Sequence, residues 1–261
     1  MKLLLFQIDA FSRQVFGGNP AAVIPLHRWI SDEAMQNIAT ENNLSETAFF
    51  VGRNGEYHIR WFTPTVEVDF CGHATLAAAW LIFNKFEPSL QELKFDSRTG
   101  ELSAQRRDEA VILNFPVQAP TPCEAPQQLL DALPIDIEDV QQAEDYLVVC
   151  KSAEQVQHLK PDLRLLKQIP LRAVIVTAPG DDVDFVSRVF GPKVGIDEDP
   201  ATGSAHTTLT PYWAQRLDKN KLKATQLSKR GAEFLCELKG GRVLITGYCA
   251  EYMSAQIFLN D

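Results

Sequence analysis

Residues 199–207 read Asp-Pro-Ala-Thr-Gly-Ser-Ala-His-Thr. Pro200 and Gly203 mark a turn, and an apolar pattern of helical period follows it. A similar string, Cys71-Gly72-His73-Ala74-Thr75, stands in the first half of the chain and again leads into an apolar run. One Gly-led turn in each half points to an internal duplication. Chance is the alternative, since Gly-x-Ala strings are common.

Working outward from the two turns, both halves follow one plan. In the first, strands are expected at 3–9 and 21–24, separated by the turn signal Phe16-Gly17-Gly18-Asn19-Pro20. Ser31 caps a helix whose apolar stripe is Met35, Ile38 and Ala39, and the helix stops near Asn42-Asn43. Strands follow at 44–51 and 58–62. An Ala-rich helix spans 73–84, and short strands lie at 93–95, 101–104 and 110–115. In the second half, strands are expected near 146–150 and 172–177 with a helix from Ser152 between them. A helix over 203–218 comes next, then strands near 222–229, 232–238, 242–247 and 251–259. Residues 116–126 hold four prolines and read as a linker. The expected domains are therefore 1–117 and 118–261.

Charge and composition narrow the function. The chain has 261 residues and a net charge of −9 without a basic run. That argues against nucleic acid or an anionic membrane surface as partner. The apolar start, Met1 to Ile8, is broken by Gln7 and ended by Asp9, and reads as a first strand rather than a signal peptide. No apolar stretch approaches the roughly 18 residues that span a membrane. Cys71, Cys123, Cys150, Cys236 and Cys249 are scattered, odd in number and never in a Cys-x-x-Cys pair. This favours a reduced, cytoplasmic setting over disulfides or a cysteine zinc site. Phosphate-loop, dinucleotide and zinc-protease patterns are missing, so neither a metal nor a nucleotide cofactor is expected.

What the two turns offer is anion binding. A helix N-terminus carries unpaired N–H groups and a partial positive charge, and glycine lets a ligand approach the backbone. Two such ends would hold a small carboxylate, even in an acidic chain. The polar residues beside them are His73, Asp199, Ser204 and His206. Glu46, set between a helix and the apolar Phe49-Phe50, is a candidate proton carrier with a raised pKa. Each has an ordinary reading as well: Glu46 as an exposed strand end, His73 as a cap or core histidine, Ser204 as a helix start, Asp199 as a turn former.

Six strings taken in order resemble the PhzF-like family of phenazine-biosynthesis isomerases. They are Phe-Gln-Ile-Asp-Ala-Phe at 6–11, Phe-Gly-Gly-Asn-Pro-Ala-Ala-Val at 16–23, Asn-Leu-Ser-Glu-Thr-Ala-Phe at 43–49, Trp-Phe-Thr-Pro at 61–64, Cys-Gly-His-Ala-Thr-Leu-Ala-Ala-Ala at 71–79 and Glu-Asp-Pro-Ala-Thr-Gly-Ser-Ala-His at 198–206. The resemblance implies an α+β, diaminopimelate epimerase-like fold of two pseudo-symmetric halves. Each half is a curved, barrel-like sheet around a central helix, with the active site in the cleft at the two helix starts. It implies Glu46 as general acid/base, with His73, Asp199 and Ser204 as further catalytic residues. Asn19, Gly72 and Gly203 would bind substrate.

The implied reaction is a cofactor-independent isomerisation of trans-2,3-dihydro-3-hydroxyanthranilate or another small anionic amino or hydroxy acid, in a homodimer. Two alternatives stand beside it. One is a cofactor-free racemase or epimerase, which in this fold uses a cysteine at each helix start. Here Cys71 fills the first position and Thr202 the second, so the second base is missing and Cys71 reads as a packing residue. The other is a metabolite-binding module without turnover.

Overall fold

A computed structural model describes residues 1–259. In chain order its elements begin with β1 (Lys2–Ala10), β2 (Asn19–Leu26), α1 (Asp32–Asn42), β3 (Glu46–Arg53), β4 (Glu56–Phe62), β5 (Glu67–Val68) and α2 (Gly72–Leu81). Then come β6 (Glu92–Ser97), β7 (Gly100–Arg107), β8 (Ala110–Pro116), β9 (Thr121–Pro122), α3 (Gln127–Ala132), β10 (Ile137–Gln142), β11 (Tyr146–Cys150), α4 (Ala153–His158) and α5 (Leu163–Leu166). The last are β12 (Val174–Pro179), β13 (Phe185–Gly191), β14 (Ile196–Asp199), α6 (His206–Leu217), β15 (Lys221–Gln226), β16 (Ala232–Lys239), β17 (Arg242–Gly247) and β18 (Cys249–Phe258).

The chain forms two compact units. One is Met1–Asn114 together with the chain from Thr246 onward; the other is Phe115–Ile245. The last strand therefore differs from the expected 118–261 grouping. β18 lies antiparallel on β1 along nearly its whole length, from Lys2–Phe258 to Ala10–Cys249. Backbone pairing assigns it to the first unit, which periodicity along the chain could not reveal. The proline-rich stretch is also no loose linker. β9 pairs with β10, Val117 donates its N–H to the Gly241 carbonyl, and Gln118 donates to that of Thr207.

The duplication is visible in the strand pairing. In the first unit β1–β2 is antiparallel, β2–β3 parallel, β3–β4 antiparallel, β4–β6 parallel and β6–β7 antiparallel. The second unit repeats the series over β10–β11, β11–β12, β12–β13, β13–β15 and β15–β16. Parallel neighbours need crossovers, and these carry the helices. α1 fills the first crossover of one unit, and α4 with α5 that of the other. α2 and α6 fill the second crossovers. Each of these is entered through a short strand, β5 on β4 and β14 on β13, and the Gly-led turn comes next. Strand β13, which the sequence reading passed over, is what makes the second unit match the first.

Helix α2 is buried on nearly every side, from Gly72 to Ala79, because β1, β2, β3 and β18 wrap it. Its alanines let strands approach closely. It ends earlier than the expected 84, as Ile82–Phe86 widens into a π-helical turn. α6 begins three residues later than expected. Gly203–Ala205 form a tight i→i+3 turn instead, with His206, Thr207 and Thr208 donating to the carbonyls of Gly203, Ser204 and Ala205. α1 starts at the expected cap, where the Ser31 hydroxyl accepts from the Ala34 N–H. It stops at Asn43, in the left-handed region at φ 50°. Among the described residues no helix is long and apolar enough to cross a membrane.

Candidate active site

In the first unit three elements converge. Glu46 is the first residue of β3, His73 the second of α2, and Asn19 the first of β2. The loop 11–18 delivers Asn19. Phe11 and Phe16 are held in the left-handed region at φ 61° and 71°, and Gly18 sits at φ 60°. Bulky residues reach that region only where the surroundings over-determine it. Here the buried Asp9 carboxylate accepts the Phe16 N–H at 2.7 Å.

His73 is the centre of this cluster and is only 5% exposed. Its Nδ1 accepts from Asn19 Nδ2 at 3.2 Å, and Cys71 Sγ lies 3.5 Å from the same nitrogen. An amide nitrogen can only donate, so the ring proton sits on Nε2. Nε2 faces Glu46 Oε2 at 3.3 Å, without hydrogen-bond alignment. Burial pushes the imidazole down to about 3, so it is neutral at pH 7. The contact is thus a neutral N–H beside a carboxylate side chain that is itself only 12% exposed. It is not an ion pair, although its distance would allow one. Chemically, the pair can pass a proton between ligand, carboxylate and imidazole.

Cys71, expected from sequence to be a packing residue, is buried with its thiol facing His73. Glu46, Cys71 and His73 also offer one metal-ligand atom each within 4.8 Å. The sulfur, however, approaches Nδ1 and the carboxylate approaches Nε2. A cation bound through either nitrogen would meet one partner across the ring, which makes a poor three-ligand site.

The second unit holds a polar cluster at the turn before α6. Asp199 Oδ2 accepts from Thr202 Oγ1 at 2.5 Å, and Gln226 bonds both residues. Ser204 Oγ accepts from Arg172 Nη2 at 3.4 Å. Asp145, buried at 3% exposure, grips the Arg172 guanidinium through two bonds of 3.0 and 2.7 Å. The same guanidinium is charge-coupled to Asp199. Gln226, Arg172 and Asp145 have no catalytic signature in the sequence, and Thr202 enters it only as the place of a missing base. Each resembles an ordinary polar residue of a strand or turn, and only the fold gathers them.

His206, one of the polar residues at the turns, has a structural role. Its ring stacks on Phe234 at a centroid distance of 3.7 Å, and Nδ1 donates to the Thr202 carbonyl at 2.9 Å. Burial lowers its pKa to about 4. Both buried histidines carry a pH dependence. The unfolded chain protonates them near pH 6.5, the folded chain only near 3 and 4. Stability is therefore complete above about pH 6.5 and is lost as pH falls below it. Each proton adds a slope of about 1.4 kcal/mol per pH unit. Urea midpoints should fall between pH 6.5 and 5, and His206→Gln should flatten the fall. Parallel curves for the two proteins would refute the assignment.

Comparison with known proteins agrees with the motifs. The chain matches the family described as phenazine biosynthesis-like protein over residues 8–255. An uncharacterized isomerase of Pseudomonas aeruginosa is 52% identical over 259 residues, covering 99% of this chain and 100% of that protein. A PhzF-family phenazine biosynthesis protein from Enterococcus faecalis has a solved structure with a TM-score of 0.97 at 44% identity, over 99% of this chain and 100% of that one. A hydroxyproline epimerase from Agrobacterium vitis, solved with bound trans-4-hydroxy-L-proline, shares the fold alone. Its TM-score is 0.64 at 11% identity, over 100% of this chain and 93% of that one. Since the family match spans both repeats and both Gly-led turns, the chain belongs to the phenazine biosynthesis-like, or PhzF, family and has its α+β, diaminopimelate epimerase-like fold.

Proposed function

We propose that the protein is a cofactor-independent isomerase that moves a proton on a small cyclic amino or hydroxy acid, on the pattern of trans-2,3-dihydro-3-hydroxyanthranilate isomerisation. The observation that carries this reading is the buried Glu46–His73 pair, with its carboxylate oxygen 3.3 Å from a neutral ring nitrogen. A carboxylate can take a proton from a ring carbon and return it to another, so substrate and product have the same composition and no electron acceptor enters. Asn19 holds the His73 tautomer in which Nε2–H faces the reacting carboxylate. Asp199 and Ser204 enter as residues that orient the substrate's polar groups, with Gly72 and Gly203 offering backbone N–H groups. These roles rest on the family motif. A homodimer and a cytoplasmic location belong to the same reading.

The test is incubation with trans-2,3-dihydro-3-hydroxyanthranilate in D₂O, followed by proton NMR. Isomerisation that depends on Glu46 supports the proposal. No turnover of this compound by the native chain rejects it as substrate. Deuterium uptake by other small amino or hydroxy acids then identifies the substrate class. An α-proton exchanged with inversion would favour the epimerase reading instead.

A further inference from the structure

Thr202 precedes the second Gly-led turn, and its hydroxyl is engaged twice. Oγ1 donates to Asp199 Oδ2 at 2.5 Å and accepts from Gln226 Nε2 at 3.1 Å. Gln226, at the end of β15, is fully buried. Its Nε2 also donates to the Asp199 carbonyl at 2.6 Å, while its Oε1 accepts the Thr202 N–H at 2.9 Å. One side-chain amide thus ties together both ends of the 199–202 turn. The set needs two donors and one acceptor on a planar group, which glutamine supplies and neither glutamate nor leucine does.

From this geometry we infer that Gln226 and Thr202 are the positioning residues of Asp199: Gln226 orients the threonine hydroxyl, and the hydroxyl aims its hydrogen at the carboxylate. The direction is forced. Nε2 has no lone pair to offer, so Oγ1 must accept from it and spend its own hydrogen on Asp199. A hydroxyl used on both sides is not an acid or base for the substrate. Thr202 therefore selects the work of this turn, which is to hold a carboxylate in one rotamer. The inference deepens the proposed function, since it takes Asp199 as a residue of that site.

The test is chosen to give an answer even where no substrate is found. In the full-length protein with ¹³C-labelled aspartate, the Asp199 carboxyl signal is assigned by its loss in Asp199→Asn and followed against pH. A hydrogen bond to the carboxylate favours its charged form. Thr202→Val, nearly isosteric, should move the Asp199 midpoint up by about one pH unit. Thr202→Ser should restore it. Arg172, whose charge also acts on Asp199, is unchanged throughout. Should the valine variant not fold, Thr202→Cys keeps the volume with a weaker donor and should give a smaller upward shift. An unchanged midpoint in the folded valine variant, or failing that in the cysteine variant, overturns the inference. On a substrate that the native chain turns over, Thr202→Val should lower kcat about tenfold with KM held within about twofold, and serine should recover it. A KM effect alone would also count against positioning. Absence of turnover in the native chain bears on the proposed function and leaves the titration to decide this point.

Discussion

Glu46→Gln should abolish proton transfer while leaving the fold intact, with turnover reduced roughly 10²- to 10⁴-fold, the usual contribution of a positioned acid or base. Glutamine keeps the size of the side chain and an oxygen that the His73 Nε2–H can face. It cannot take or give a proton near neutral pH. Loss should therefore fall on kcat, with KM nearly unchanged, because binding uses other groups. Urea midpoints measured beside the rates separate lost proton transfer from lost stability. Glu46→Asp should recover only part of the rate, because the carboxylate retreats by one methylene from the 3.3 Å contact with His73. Rates read from deuterium uptake in D₂O check both variants. Full turnover by Glu46→Gln would end the role assigned to this residue.

Gly18→Ala should cost at least about 3 kcal/mol of stability. Gly18 lies at φ 60°, and an added Cβ would stand 2.0 Å from the Ala10 carbonyl oxygen and 2.9 Å from its carbon. Retreat is blocked on both sides, because Ala10 pairs with Asn19 on β2 and with Cys249 on β18. For a chain of this size the melting temperature should fall by roughly 6–12 °C. Asn19 is the next residue, so the strain should also disturb its bond to His73 Nδ1 and lower turnover more than stability alone explains. Gly100→Ala separates clash from backbone strain. Gly100 has φ 104° with nothing within 4 Å of an added Cβ. Its cost should be about 1–2 kcal/mol, that of the left-handed backbone alone. Equal losses in the two variants would refute the steric account.

The doubled plan and several candidate polar groups are legible in the sequence alone. Glycines at 72 and 203, each four residues beyond a short strand, mark the two helix entries. The Ser31 cap, the α1 stripe and the short β-rich segments are local properties, legible from spacing and propensity. So was Glu46, a lone carboxylate in an apolar setting. The resemblance named His73 as catalytic and Asn19 as substrate-binding, and the fold brings both to Glu46.

Tertiary structure alone decided the rest. The return of β18 to β1 is a long-range pairing, set by backbone hydrogen bonds that no local pattern encodes. The tautomer and neutrality of His73 depend on burial and on an amide 54 positions away in the chain. Gln226 and Thr202 look like ordinary strand and turn residues until the fold closes them on Asp199. Arg172, held by Asp145, reaches Ser204 in the same way. Local sequence sets which elements form, whereas protonation and side-chain aim follow from which distant groups burial brings within a few ångströms.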